Sequence, residues 1–447
     1  MEIAKLKSGE IAKLTSRVLQ FCHFAISQFP PTIGSWGLLP SMGRRIADNP
    51  HVPVTLGSTR LVDSGRLRGR AIGLVSNPAS VDGSLTHIVD RLFSDREVQV
   101  GALFGPQHGF RSDVQDNMIE TPHTELERAE GAASVRQKVP LYSLYSDTRE
   151  PSAAMLEGLD VLVIDLQDVG TRIYTYVYTM ANCMRAAAQH GVKVIVCDRP
   201  NPIGGVELEG ITLEAGCESF VGQYPVPTRH GMTIGELARL FNEQFGIGAE
   251  LEVVAMDGWR RSMYWDETGL PWVMPSPNIP TLDSAIVFPG TVHVEGTTAS
   301  EGRGTTRPFE LVGAPWITAE RFAARLNARG LPGAYFRPAV FEPTFQKHAR
   351  VACGGCQIHV LDRRTFRPVL TGMAIIDEMR AADPSSFAWK KPPYEYENDK
   401  QPIDVIAGSP SFRAAIDAGE RAETIAARWR PTIEAFQARR QPFLIYD

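Results

Sequence analysis

The chain has 447 residues, 43% of them hydrophobic, enough to bury a large core and long enough for two domains. A formal net charge of -5 and the lack of any Lys/Arg cluster argue against a nucleic-acid partner. The most apolar runs, "DVLVIDL" and "VKVIVCD", are strand-sized and far short of the ~20 residues a membrane span needs, which predicts a soluble protein.

Residues 1–65 show no sustained hydrophobic period and are rich in Gly, Pro and Ser, which predicts an N-terminal extension. Within it, "VLQFCHFAISQF" contains Gln and His and is followed by no clear small-residue cleavage site, so it makes a poor signal peptide and leaves the compartment undetermined. From "RAIGLVSNPAS" onward the texture changes. A buried strand over 71–76, a helical pattern in "SLTHIVDRLF" and a second strand in "VQVGALF" make a βαβ unit. The alternation continues through "DVLVIDL", a helix over "YTYVYTMANCMRAAAQH", the strand "VKVIVCD", a helix over "MTIGELARLFNEQF" and the strand "LEVVAM". Near-continuous apolar strands alternating with amphipathic helices predict an α/β fold with a doubly wound, mostly parallel sheet over residues 66–275. The exit of the first strand reads "SNPAS" rather than G-x-G-x-x-G, so a nicotinamide cofactor loses its main support.

After about residue 275 the segment "MPSPNIPTLDSAIVFPGTVHVEGTTASEGRGTTRPFELVGAPW" is dense in Gly, Pro, Ser and Thr and reads as a boundary. Beyond it a helix at "TAERFAARLNARG", strands at "YFRPAVFEP" and "CQIHVLD", a helix at "GMAIIDEMRA" and a helical tail predict a smaller α/β domain over 276–447. Six cysteines are too sparse for a disulfide scaffold, and "CGGC" at 353–356 lacks the second pair of ligands a zinc site draws on, so it reads as structural.

Polar residues gather where the strands end. The first strand exits into Asn77, the second into Gln107 and His108, the third into Asp165 and Asp168, and the fourth into Asp198, Arg199 and Asn201. In an open parallel sheet ligands bind outside the carboxyl ends of the strands, so these four loops are candidates to line one crevice. Asp165 is also placed to cap the following helix or to pair with Arg172. Tyr174 and Tyr178, four apart, read more readily as core than as a ligand platform. Arg229 and His230 precede a helix that Thr233 and Glu236 are spaced to close with a capping box; His230 beside an arginine suits an anion or a sugar as well as packing. In "EGTTASEGRGTTRPFE", Glu295, Glu301 and Glu310 alternate with Arg303 and Arg307 among small residues. That mixture suits carboxylate recognition and acid or base chemistry, or a purely structural ion-pair loop.

The ordered motifs "SNPAS", "FGPQHGF", "DLQDVGTRIYTY", "DRPNPIGG", "RHGMTIGEL", "PSPNIPTLDSAIVFPGT" and "EGTTASEGRGTTRPFE" resemble the NamZ-type exo-β-N-acetylmuramidases over about residues 70–316, with weaker similarity beyond. The resemblance implies a Rossmann-like N-terminal domain, a smaller α/β C-terminal domain and a cleft between them. It implies release of N-acetylmuramic acid from the non-reducing end of peptidoglycan fragments, with no cofactor and no metal. Such a sugar needs amide, acid and guanidinium partners, for which Asn77, Gln107, Asp165, Asp168, Arg172, Asn201, Arg229, His230, Asn278 and Arg303 are the candidates, with Arg307 a further arginine for the lactyl carboxylate.

Many members of that family carry Glu where this chain has Gln107, and a Gln amide cannot deliver a proton. The expectation is therefore that another carboxyl serves, with Glu301 first, Glu295 and Asp116 behind it (Asp113 is also near), and His108 orienting the substrate. The alternative that Gln107 motivates is a binder of peptidoglycan fragments without turnover. A metal-assisted hydrolase using His108, His230 and Asp165 ranks last, because no local ligand spacing supports it.

Overall fold

The computed structural model describes residues 53–116, 118–129 and 136–447. Residues 1–52 of the expected extension, including the stretch weighed as a signal peptide, lie outside the described residues. The remainder of that segment is structured: a helix at Gly57–Asp63 lies so close to the sheet that a Cβ on Gly57 would sit 2.2 Å from the Val254 carbonyl oxygen.

A seven-stranded sheet forms the centre. Its strands are β1 (Ala71–Ser76), β2 (Gln99–Gly105), β3 (Thr124–Ala129), β4 (Arg136–Ser143), β5 (Val161–Asp165), β6 (Lys193–Cys197) and β9 (Leu251–Val254), in the order β3-β4-β2-β1-β5-β6-β9. All neighbours run parallel except β3 against β4. The expected doubly wound α/β fold is thus present, with an added antiparallel hairpin at one edge. Alternation with period two divides the strand residues between the two faces. Ile72, Leu74, Val161 and Val163 join Ile88 and Leu92 of the helix Ile88–Ser94 on one side. Val75, Leu162, Ile164 and Val196 join the helix Tyr176–His190 on the other. The Thr233/Glu236 capping box is formed at the start of the helix Ile234–Gln244.

The segment read as an irregular boundary contains more structure than its composition predicts. Leu282–Thr291 is a helix with Pro289 inside it, continued by a 3-10 turn at Val292–Gly296. Pro289 forfeits the bond to the carbonyl four residues before it, and burial of most of the helix's side chains outweighs that cost and its poor propensity. This helix crosses the helix Pro368–Ala382 at paired glycines: a Cβ on Gly290 would lie 1.8 Å from the Pro368 carbonyl oxygen, and one on Gly372 would lie 2.1 Å from that of Gly290. A two-stranded antiparallel ribbon pairs β7 (Glu209–Thr212) with β8 (Pro227–Arg229), and Glu209 accepts from the Leu370 N–H in the first turn of the second helix. A second, three-stranded antiparallel sheet orders β10 (Leu311–Ala314), β12 (Cys353–Val360) and β11 (Ala334–Phe341), with Cys353 and Cys356 buried on its central strand as free thiols. One apolar core runs from the helix face of the first sheet through Phe288 and Phe309 to Phe336 and Met373, so the two sheets share a common interior.

Candidate active site

The strand β2 ends in a turn that requires unusual backbone. A Cβ on Gly105 would sit 2.7 Å from the Phe110 nitrogen, and His108 and Gly109 both take the left-handed conformation (φ 71° and 83°). For histidine that conformation is uncommon, and here it brings the ring to a pocket between the C-terminal end of the parallel sheet and the later segments. Gln107 and His108, Tyr174 and Thr175, Asn278, Glu295 and Arg303, and Tyr394 and Glu395 line that pocket, which encloses about 480 Å³ including its mouth.

Gln107 is held at both ends of its amide. Thr175 Oγ1 donates to Oε1 at 2.8 Å, and Nε2 donates to Glu395 Oε1 at 3.3 Å. With the Thr175 hydroxyl donating to one end of the amide, the nitrogen is turned toward the Glu395 carboxyl. Glu395 Oε2 accepts from the Tyr145 hydroxyl at 2.8 Å. Tyr394 and Glu397 exchange backbone hydrogen bonds at 3.0 and 2.9 Å around Glu395 and Tyr396, whose φ angles are 45° and 68°. Two positive φ values at the centre of such a turn are the pattern of type I′, which favours Asn-Gly; holding Glu-Tyr there costs about 1–3 kcal/mol per residue. Backbone held against its preference thus places a buried carboxyl at the tip of the turn.

Glu295 bonds the Arg303 guanidinium through Oε1 and accepts from the Tyr394 hydroxyl at 3.0 Å. Arg303 lies over the Phe309 ring, 4.8 Å from its centroid, and also reaches Glu301 at 3.2 Å. Burial works against the charge of Arg303, but the two glutamates outweigh it and keep the guanidinium firmly protonated. The Arg303 Nε is buried with no protein partner. His108 Nδ1 lies 2.8 Å from the Val114 carbonyl and therefore carries the proton of the neutral ring, leaving Nε2 an acceptor. Burial, with the Arg303 charge adding to it, pushes the imidazole down to about 4, so it is neutral at physiological pH.

The remaining candidates are placed differently. Glu301, the expected acid, does not line the pocket: burial favours its protonated form, but Lys347 at 2.7 Å and Arg303 outweigh that and hold the carboxyl well below its usual range. A group so firmly ionised is a poor proton donor, which weighs against the acid role expected of it. Asp116 bonds Gln346 and also stands outside the pocket lining, as do the exposed Asp113 and the exposed Arg307, which pairs with Glu310 at 3.1 Å. Asp165 pairs with Arg199 at 2.9 Å, not with Arg172, and Arg199 also binds the Ala79 and Val81 carbonyls, tying together three strand exits. Arg172 is buried and donates to the Ile406 carbonyl at 2.8 Å. Asp168 faces His230 at 3.2 Å, Asn201 bonds the Met232 carbonyl, and Arg229 bonds the Ile203 carbonyl and the Tyr264 hydroxyl. Asn77 donates to the Pro275 carbonyl at 2.7 Å. Asn278 does line the pocket, with its amide nitrogen given to the Gln115 carbonyl at 2.8 Å. Most of the polar strand exits thus build the frame of the crevice, while Gln107, His108, Asn278, Glu295 and Arg303 reach its lumen. His108, His230 and Asp165 are not brought together, and among the described residues no group of three or more His, Cys, Asp or Glu side chains is arranged to hold a metal ion.

Sequence reasoning missed Glu395, Tyr145, Thr175 and Tyr394. The only signal was "PPYEYEN", an acid between two tyrosines after a proline pair, and nothing in it indicates a partner 288 positions earlier.

A buried pair of carboxyls sharing a pocket with a neutral imidazole, hydroxyls, amides and an arginine is the equipment of a carbohydrate hydrolase. The comparisons agree. The family description "Exo-beta-N-acetylmuramidase NamZ, N-terminal" matches residues 72–283 and its C-terminal counterpart residues 286–446, so the chain belongs to the NamZ family. It is 42% identical over 415 residues to the peptidoglycan beta-N-acetylmuramidase NamZ of Bacillus subtilis (strain 168), covering 93% of this chain and 96% of that one. Two crystal structures of DUF1343 family proteins from Bacteroides fragilis are similar. One has TM-score 0.78 and 33% identity, covering 89% of this chain and 100% of the other; the second has TM-score 0.66 and 26% identity, covering 88% and 99%.

Proposed function

We propose that this protein is an exo-acting glycosidase that releases N-acetylmuramic acid from the non-reducing end of peptidoglycan fragments. Family membership through both halves of the chain supports this reading, and so does a pocket that retains two carboxyl groups although position 107 is an amide. The observation that carries it is Glu395 in hydrogen-bond contact with Gln107. Where the sequence lacks an acid at position 107, a distant turn brings a carboxyl beside it, and this favours turnover over binding alone.

In this reading Glu395 gives its proton to the glycosidic oxygen as the bond to the anomeric carbon breaks; water then adds hydroxide to that carbon and returns the proton to the carboxyl. Its partners suit the task, because the Tyr145 hydroxyl can turn from donor to acceptor and the Gln107 amide can donate to either protonation state. Glu295, paired with Arg303, stabilises positive charge developing on the sugar ring. The Arg303 guanidinium, which lines the pocket, meets the lactyl carboxylate, and His108 Nε2 accepts from a ring hydroxyl.

The test compares two leaving groups. Loss of a general acid costs typically ~10²–10⁴-fold when the departing oxygen needs a proton. Glu395→Gln should lose about that much on the β-linked N-acetylmuramyl-N-acetylglucosamine disaccharide and far less on a nitrophenyl N-acetylmuraminide, whose phenolate leaves unaided. Equal losses on both would remove Glu395 from the acid role, and wild-type inertness toward both would remove the enzyme.

A further inference from the structure

The turn that carries Glu395 is gripped from outside the pocket. Arg149, in the loop after β4, places its guanidinium carbon 4.3 Å from the centroid of the Tyr145 ring and 4.3 Å from that of Tyr396, with Phe220 5.6 Å away. The Tyr145 and Tyr396 rings meet edge to face, 5.9 Å apart at 72°, so the cation sits in the corner between them. Both rings are tied to the same carboxyl. Tyr145 donates to Glu395 Oε2, and Tyr396 is the other left-handed residue of the type I′ pattern. Arg149 is itself anchored: its backbone carbonyl accepts from Asn182 Nδ2 at 3.0 Å, and its Nη1 donates to the carbonyls of Ser146 and of Thr148. Glu120 stands 3.9 Å from Nη2 but its side chain is half exposed, so water screens that pair and it adds little to holding the guanidinium.

We propose that Arg149 is a positioning residue for Glu395, using cation-π contacts to Tyr145 and Tyr396 to hold the carboxyl and its hydroxyl partner in register with the glycosidic oxygen. A guanidinium over an aromatic face is attracted by the ring quadrupole, and two rings at 4.3 Å restrict it in two directions at once. The arrangement joins the loop after β4 to a turn almost 250 positions later, the same separation the Tyr145–Glu395 hydrogen bond spans. A turn with two unfavourable φ values relaxes when its clamp is removed, and an acid displaced by about 1 Å loses much of its effect.

This inference rests on the reading of Glu395 as the proton donor, and its test separates the two. Arg149→Leu should lower kcat on the disaccharide about 10- to 100-fold, leave its KM within about twofold, and change kcat on the nitrophenyl glycoside less than threefold. In a Glu395→Gln background the same substitution should lower disaccharide turnover less than twofold, because the group it positions is gone. Arg149→Lys should recover part of the loss. Tyr396 is 45% exposed, so Tyr396→Leu is the companion variant if Arg149→Leu does not fold, and it should show the same leaving-group selectivity. Equal loss on both substrates, or full loss in the Glu395→Gln background, would make Arg149 ordinary structural glue and overturn the proposal. Equal loss on both substrates by Glu395→Gln alone would instead overturn the acid assignment.

Discussion

Gln107 Nε2 donates to Glu395 Oε1 across 3.3 Å, joining the loop after the second strand to a turn near the end of the chain. On the proposed reading, this contact reconciles an amide at a position where an acid is expected with proton transfer by a neighbouring carboxyl. It also makes residue 107 a sensitive probe. Gln107→Glu would set two carboxyls in contact, and such a pair holds its last proton to higher pH than either group alone. The expected result is an alkaline limb of the disaccharide pH-rate profile displaced upward by about one unit or more. An unmoved limb would mean that Glu395 does not titrate in the reaction.

Glu301 tests the opposite assignment. Its carboxylate is buried between Lys347 and Arg303, and removing one member of a buried ion pair leaves the other uncompensated. Glu301→Gln is expected to destabilise the fold by about 3–5 kcal/mol in urea denaturation, with Lys347→Met in the same chain recovering much of the loss. Turnover of the folded variant should remain well short of the ~10²–10⁴-fold deficit of a missing acid. A deficit of that size with unchanged stability would restore Glu301 as a catalytic group.

His293 gives the acid side of the stability profile. Burial, aided by the Arg172 charge, holds this imidazole down at about 4, against an ordinary value of 6.5. Between those values the unfolded chain binds a proton that the folded one refuses, so stability rises with pH across the window. The contribution is complete above pH 6.5 and is lost as pH falls toward 4. His108 adds a contribution of the same sign. His293→Gln should therefore reduce the slope of unfolding free energy between pH 4.5 and 6 by about 1.4 kcal/mol per pH unit, one proton's worth. An unchanged slope would show that His293 is charged in the fold.

The crossing of the helices Leu282–Thr291 and Pro368–Ala382 depends on two missing side chains. Because a Cβ on Gly372 would sit 2.1 Å from the Gly290 carbonyl oxygen, Gly372→Ala forces the helices apart. The expected cost is about 1–3 kcal/mol or more in thermal or chemical unfolding, opposite in sign to the usual gain of an alanine within a helix. A stabilised variant would contradict the close crossing.

These cases show what the chain makes legible and what it hides. The strands β1, β2, β5, β6 and β9 and the helices between them follow from apolar runs and 3.6-residue spacing, and the polar strand exits announce a crevice. Asp165, Arg199, Asp168 and His230 are correctly polar at those exits, yet their chemistry is spent on one another, a choice set by three-dimensional distance that no local pattern encodes. The helix Leu282–Thr291 is concealed because its glycine and proline oppose helix propensity while burial favours it. Glu395 is hidden for both reasons: it sits in a turn whose residues are atypical for its backbone, and its partners Gln107 and Tyr145 are 288 and 250 positions away.

The claim on which the rest depends is that the glycosidic oxygen of a bound muramyl sugar lies against the carboxyl of Glu395. A crystal structure of the Glu395→Gln variant holding the uncleaved disaccharide measures that directly. The account predicts the side chain at position 395 within hydrogen-bond distance of the bridging oxygen, with Gln107 and Tyr145 still beside it. Another carboxyl at that oxygen, or the sugar bound away from the pocket of Gln107, Glu295 and Glu395, would contradict it.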